Sequence, residues 1–360
     1  MHIPDGYLSP LTSALLYAGA APFWYAALRR VRAALHTRLV PLISLFAAFS
    51  FVVMMFNIPL PGGTTGHATG VALAAVVLGP WASVLAISVA LGIQAFFFGD
   101  GGITTLGANC FNMAVAGSLA AWAVYRAGAA GAALSSPRRA LAAGVAGYAA
   151  VNVAALLTAV EFGLQPMFFV DASGAPLYAP YPLRIAVPAM MLGHLTIAGL
   201  AEFVVSAGVV AFLQRSDPTL LAAGAGLAGA QPAGGSGRLR SLRPLWAGLG
   251  VLMVLAPLGI LAAGTAWGEW AAEDFGEPAG RQEIARASLG AAPPAAPPSG
   301  LERLSAVWTA PWPDYAPPFV RSASFGYILS AVLGVGLVIL VFLVFDRLAR
   351  LVRDEGRASG

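Results

Sequence analysis

The sequence predicts an all-α protein: a polytopic transmembrane helical bundle of about seven membrane segments, one short and interrupted, followed by a two-helix membrane unit with an extracytoplasmic insertion. Three observations carry this. Hydrophobic residues fill 58% of the 360 positions and charged residues only 10%, against about 25% charged in soluble domains. Mean hydropathy is +0.77. Apolar runs of bilayer-crossing length recur along the chain, and the 20 basic residues, all arginine, gather at their ends.

The same composition excludes several function classes. A Walker A loop needs its lysine to reach the phosphates, and the chain has no lysine, so it is not its own P-loop ATPase. The arginines lie at helix ends rather than on one surface, which argues against nucleic acid. A lone cysteine, Cys110, rules out an intrachain disulfide and reads as a packed small side chain. None of the four histidines belongs to an H-E-x-x-H pair, and no nucleophile–base pair stands out, so the chain is not read as an enzyme.

Taken in order, Ser9–Leu28 is the first span. No positive residue precedes it, so it is not read as a signal peptide. Arg29, Arg30, Arg32 and Arg38 follow it and place the N terminus outside. Leu39–Asn57 returns, and a loop with two prolines and three glycines, Ile58–Gly66, delivers His67. Ala68–Leu78 is too short to span alone and is broken by Gly79 and Pro80; interrupted helices are where irregular backbone lines a buried site. Trp81–Phe98 crosses outward to the loop "GDGGITTLGAN". Asp100 in that loop is read as a solvated carboxylate, with electrostatic tuning of a nearby site as the alternative.

Cys110–Tyr125 and Ala140–Phe162 are the next spans, with Glu161 at an outer end where it reaches water, and Gly163–Pro182 an outer loop. Leu183–Leu213 contains His194 and Glu202, eight apart and so near one helix face. Ionisable residues are costly inside a bilayer, and these two are assigned to helix packing or partner contact rather than to ligation. The organisation is then residues 1–215 as one transmembrane domain, 216–243 as a flexible Ala/Gly/Pro/Ser-rich cytoplasmic linker, and 244–360 as a second unit. That unit has spans Pro244–Ala266 and Ser322–Phe345 around the polar segment 267–321. Fifteen of the 20 arginines fall inside with this topology, which selects it over its inverse and puts the C terminus in the cytoplasm.

The residues that carry chemistry are at the very start. "MHIPDGYL" places three nitrogens in a row: the Met1 α-amine, the His2 amide and the His2 imidazole. If the amide loses its proton to a metal, these close fused five- and six-membered chelate rings that fill three corners of a square. A fourth nitrogen, from His67 in "GGTTGHATG", completes it. Four nitrogens in a plane favour Ni(II) or Cu(II), and Co(II) is held similarly. Uptake displaces protons and so weakens as pH falls. The acidic residues of the outer segments read equally as a face that concentrates cations and as ordinary polar loop residues.

"MHIPDGYL", "GHATG", "LGPW", "GGITTLGANCFNM" and "EFGLQP" occur in that order over Met1–Arg215 and resemble the substrate-capture component of energy-coupling-factor transporters for cobalt or nickel, the CbiM/NikM family. The resemblance implies that the Met1 amine, the His2 amide and imidazole, and His67 bind the ion. It implies that Asn109 of "GAN" lies in a loop near the site, with Asp100 and Thr65 as further neighbours. Cobalt or nickel is then the transported substrate and no cofactor is implied. The implied partners are a transmembrane coupling (T/Q) component and ATPase (A/O) subunits, in the bacterial inner membrane. Ala14 and Ala18, at i and i+4 on the first helix, would let a partner helix approach. "WGEWAAEDF" and "PDYAPPF" resemble the small accessory N component of the same transporters, of PDGLE type, fused at the C terminus. The rival reading is a secondary transporter or channel for divalent transition metals working without ATPases; an inverted repeat or charges lining several spans would mark it. Nitrogen donors do not choose between cobalt and nickel.

Overall fold

The computed structural model describes residues 1–34, 39–222 and 242–358. The chain is a helical bundle whose main rods are α1 (Pro10–Ala34), α2 (Leu39–Met54), α3 (Val71–Leu78), α4 (Pro80–Ile93), α5 (Leu106–Asn109), α6 (Ser118–Ala129), α7 (Pro137–Phe168), α8 (Leu183–Gly193) and α9 (Gly199–Ser216). The C-terminal unit adds α10 (Arg243–Leu255), the short α11 (Pro278–Ala287) and α12 (Ser299–Ser305), and the long α13 (Ala323–Ala358). Among the described residues six helical runs are long and apolar enough to cross a membrane: 10–32, 80–98, 137–168, 183–216, 243–261 and 323–351. The chain is a multi-pass membrane protein.

The interrupted third segment is the centre of the bundle. α3 has eight residues, about 12 Å of rise against a bilayer core of about 30 Å. Val71 to Val77 are all buried, as expected for a helix that is apolar on every side. It starts at Gly70 (φ 68°) and stops at Gly79 (φ 82°), both in backbone conformations that favour glycine. Pro80 then opens α4 at a position where its missing N–H costs nothing.

Among the described residues three π-helical stretches interrupt the rods, at Gln94–Phe98, Cys110–Gly117 and His194–Ala198. Each inserts extra backbone into a helix beside the N-terminal residues or their supports, the placement usual for such bulges. The last one lies between His194 and Glu202, so regular helical spacing did not describe their relation. α7 begins at Ser136, whose hydroxyl accepts from the Arg138 N–H with Pro137 following, a conventional start signal.

α7 also runs through Pro166 to Phe168, so the outer loop expected from Gly163 starts six residues later. Glu161 is therefore not at an interface with water. It is buried and accepts from the Asn112 side-chain amide at 2.8 Å. Gly144 and Gly147 of α7 face α9, where an added Cβ would lie 2.7 Å from Phe203 and 2.6 Å from Ser206. These small residues admit α9 closely and carry Glu202 into the core. Of the expected linker 216–243, residues 223–241 lie outside the described residues.

Candidate metal centre

The N terminus is folded into the bundle rather than left free: Met1, His2, Ile3, Tyr7 and Leu8 are each at most 3% exposed. The loop 99–105 and the turn that follows hold it. The Ile3 N–H donates to Asn109 Oδ1 at 2.8 Å. The Ile3 carbonyl accepts from Gly102 N–H at 2.8 Å, Thr105 Oγ1 at 2.5 Å and Asn109 Nδ2 at 3.1 Å. Asp5 accepts from the backbone of Ile103 at 3.1 Å and Thr104 at 2.7 Å. This fit requires glycine at 102, where a Cβ would lie 2.4 Å from the Asp5 nitrogen. Further along, the Tyr7 hydroxyl donates to the Trp270 carbonyl at 2.7 Å and the Ser9 N–H to Gln165 Oε1 at 3.0 Å.

This plug brings the expected donors together. The His2 and His67 rings stack with centroids 5.0 Å apart and planes 29° off parallel. The Met1 amine donates to Glu269 Oε1 at 3.1 Å. His2 Nδ1 lies 2.5 Å from Asp100 Oδ1, and His2 Nε2 is buried without a partner. His67 Nδ1 lies 3.1 Å from the Ala68 carbonyl. Burial first, and then electrostatic repulsion from the neighbouring His2 ring and N terminus, push the His67 pKa down to about 3. The ring is therefore neutral at physiological pH. With Nδ1–H directed at a carbonyl, its Nε2 lone pair is left for a ligand, the arrangement usual for metal-binding histidines.

Asp100 is not the solvated carboxylate expected of a loop. Its second oxygen accepts from the Tyr315 hydroxyl at 2.5 Å and from Gln94 Nε2 at 3.1 Å. Burial alone would raise its pKa, but the His2 ring beside it outweighs this and holds the carboxyl well below the usual range. The Tyr315 hydroxyl, buried and next to Asp100, is pushed well up and stays protonated as a donor.

The loop that bears His67 is fixed from both sides. Strands β1 (Ile58–Leu60) and β2 (Thr64–Gly66) pair antiparallel across a turn with Gly62 and Gly63 at φ 89° and 80°. Beyond His67, Glu202 of α9 accepts from Thr69 N–H at 2.5 Å, Thr69 Oγ1 at 3.2 Å and Gly70 N–H at 3.2 Å. The structure thus gives Glu202 a partner two residues from His67. Its packing assignment is correct in kind, with the packing directed at the site.

Asn109 is in place, but on the helical turn Leu106–Asn109 rather than in a loop. Thr65 is buried in β2, its backbone bridged to Ala266 of the C-terminal unit; no hydrogen bond links its side chain to the donors among the described residues. Ala14 and Ala18 lie on the exposed face of α1, away from the site. His194 is buried with Nδ1 2.8 Å from the Met190 carbonyl, within its own helix. Gln94 and Tyr315 were not singled out from the sequence, and Glu269 only as one of the acidic residues of the outer segments. Glu269 stands in "WGEWAAEDF" and Tyr315 in "PDYAPPF", so the signal was present as motif, though not as chemistry.

No group of three or more His, Cys, Asp or Glu side chains among the described residues is arranged to hold an ion.

Comparison with known proteins agrees with this architecture. The family model described as "Cobalt uptake substrate-specific transmembrane region" (CbiM) matches residues 2–220, and the PDGLE domain matches 243–351. The chain is 62% identical over 339 residues to the fused nickel transport protein NikMN of Rhodobacter capsulatus, covering 94% of this chain and 95% of that one. It is 40% identical to the probable fused nickel transport protein LarMN of Lactiplantibacillus plantarum, covering 96% and 97%. A crystal structure of a truncated transition metal transporter shares 46% identity with a TM-score of 0.57, covering 60% of this chain and 99% of that one. The protein is a membrane component of metal transport and not an enzyme, and its substrate is the metal. The chain belongs to the CbiM family, fused at its C terminus to a PDGLE domain.

Proposed function

We propose that the chain is the substrate-specific component of an ATP-driven energy-coupling-factor importer for Ni(II), with Co(II) as the second substrate. The observation that carries this is the burial of the Met1 amine, the His2 ring and the His67 ring at one point. The ion is held by the Met1 amine, the His2 amide and imidazole, and His67. The nitrogen donors admit either metal; nickel is put first because the two fused-chain relatives quoted above are nickel transport proteins by name.

The six-membered chelate ring needs His2 Nδ1, the atom now facing Asp100. Loading therefore exchanges Asp100 for the ion at Nδ1, and reorientation of the ring about both side-chain torsions would let Asp100 accept from the other nitrogen. The Met1 amine likewise leaves Glu269. Residues 1–215 form the capture domain, 216–243 a cytoplasmic linker and 244–360 the accessory domain. The N terminus faces outward across the cytoplasmic membrane and the C terminus inward, on the arginine bias. Release inward requires the bundle to move, driven by ATP hydrolysis in separate subunits through a coupling protein.

The test is metal binding to full-length protein with an unblocked N terminus, beside His67→Ala and a variant with one residue inserted between Met1 and His2. Both variants are expected to lose stoichiometric Ni(II) binding while staying folded. Binding retained by both overturns the site. ATP-independent uptake into vesicles driven by an ion gradient would establish the rival secondary-transporter reading.

A further inference from the structure

We propose that Glu161, Asn112 and Thr158 form a second seat for the transported ion, made of oxygens and set about one helical turn inward of the N-terminal plug. The proposal rests on the transport reading above and adds where the ion goes when the nitrogens release it. Glu161 lies within a helix of membrane-crossing length, is 9% exposed, and has no part in the proposed chelate. A carboxylate at such depth is costly and marks either a pairing or an ion path, and Glu161 makes no salt bridge among the described residues. The seat is tied to the plug from two sides. Asn109 bonds Ile3, and Asn112 follows three residues along the same helical run, about 4.5 Å deeper. Gln165 bonds the Ser9 N–H, and its Nε2 donates to the Glu161 carbonyl at 2.9 Å, one turn back along α7.

The geometry of the three side chains suits a cation. Asn112 Nδ2 donates to Glu161 Oε2 at 2.8 Å and to Thr158 Oγ1 at 3.2 Å. Asn112 and Thr158 are fully buried, yet the other amide atom, Asn112 Oδ1, is buried without a partner. A buried acceptor left unmatched is costly. Half a turn of the planar amide about its last torsion exchanges Oδ1 and Nδ2, and it leaves one amide atom unpartnered as before. The carbonyl oxygen then stands about 3 Å from both the carboxylate and the hydroxyl. Three oxygens so placed repel one another unless a cation lies between them. Their spacing is that of ligands around an octahedral ion, where bonds of about 2.1 Å set neighbouring oxygens about 3 Å apart. One carboxylate and two neutral oxygens hold Ni(II) or Co(II) less firmly than amine, amide and imidazole nitrogens do. A weaker seat on the inward side is one that an ion enters and leaves, as a conduction path requires.

The experiment is equilibrium dialysis of Ni(II) against the full-length protein with an unblocked N terminus, in mild detergent. Wild type, Glu161→Gln, His67→Ala and the double variant are compared. The wild type is expected to bind one ion tightly and a second more weakly. Glu161→Gln keeps an acceptor for the Asn112 amide; it is expected to retain the first ion and to weaken the second roughly tenfold or more. His67→Ala is expected to lose the first and retain the second, and the double variant to lose both. A single ion on the wild type up to millimolar Ni(II) overturns the proposal. Weak binding that is equal with and without Glu161 also overturns it, since the second ion is then adventitious. Tight binding that survives His67→Ala, with the weak ion still lost in Glu161→Gln, overturns the nitrogen site and leaves this seat standing. Asn112→Asp gives a further reading. A second carboxylate is expected to tighten the weak ion roughly tenfold, a gain that a merely packed asparagine would not bring, and no gain overturns the seat.

Discussion

Glu269 accepts a hydrogen bond from the α-amine of Met1 at 3.1 Å although 268 positions separate the two residues. The first atom of the CbiM-family region is thus held by a side chain of the fused C-terminal unit. In the proposed mechanism this amine must leave the carboxylate before it can bind an ion. Glu269→Gln is expected to leave folding within about 1 kcal/mol, as for other partly exposed pairs. Ni(II) association should then be roughly fivefold faster, the equivalent of about 1 kcal/mol off the barrier. Stopped-flow tryptophan quenching measures this, and an unchanged rate removes the gate from the mechanism.

Asp100 links the two units a second time, through His2 on one side and Tyr315 on the other. Groups that orient a metal-binding histidine commonly contribute 10–100-fold in affinity. Asp100→Asn is expected to lose roughly that much Ni(II) affinity, and Tyr315→Phe less, because Gln94 still holds Asp100. Isothermal titration of both variants gives the comparison; equal losses would mean that Tyr315 acts on the site by another route.

The Glu202 carboxylate caps the backbone two and three residues beyond His67. Glu202→Ala strands the Thr69 and Gly70 N–H groups in the core, at about 1–3 kcal/mol for each unsatisfied donor. Thermal unfolding should show a large drop in midpoint, with Ni(II) affinity falling as the His67 loop loosens. Glu202→Gln keeps one acceptor oxygen and should retain most of both.

His67 is held neutral, with its pKa lowered from 6.5 to about 3. The unfolded chain then binds more protons than the folded one between those values, so stability rises with pH across the window. The stability is fully present above pH 6.5 and is lost as pH falls towards 3, by about 1.4 kcal/mol per pH unit from this one proton. Replacing His67 by Phe should flatten that part of a pH–stability curve. An identical slope in both proteins would show that the proton belongs to another group.

Gly102→Ala tests the plug itself. A Cβ there meets the Asp5 backbone, and overpacking of this kind typically costs about 1–3 kcal/mol. The outcome expected is exposure of residues 1–5 to amide exchange with a loss of metal binding, while the helices stay intact. Unchanged protection of those amides would show that the loop shifts to accommodate the methyl group.

Membrane insertion and the interrupted third helix were legible in the sequence because each rests on local chemistry; the fused second unit was read from its resemblance to a family, and the pairing of His2 with His67 from the matching donor chemistry of two histidines far apart in the chain. Hydropathy, glycine and proline at Gly79–Pro80, and a histidine second in the chain are properties of neighbouring residues. Asp100, Glu161 and Glu202 were read less well for one common reason. A carboxylate's environment is set by what packs onto it, and here the packing partners are distant: Tyr315 for Asp100, Asn112 for Glu161, Thr69 and Gly70 for Glu202. The extension of α7 through Pro166 was also hidden, since proline discourages a helix locally and only the surrounding bundle outweighs that preference.

The sequence by itself determined the solvent in which this protein folds, and it supplied the nitrogens that the proposed chelate uses. Only the tertiary structure decided which carboxylates face them. Met1 meets Glu269 and Asp100 meets Tyr315 through contacts between two separately recognisable units. No local pattern encodes such a meeting, because it depends on how close glycine-lined helices and loops allow the two units to come.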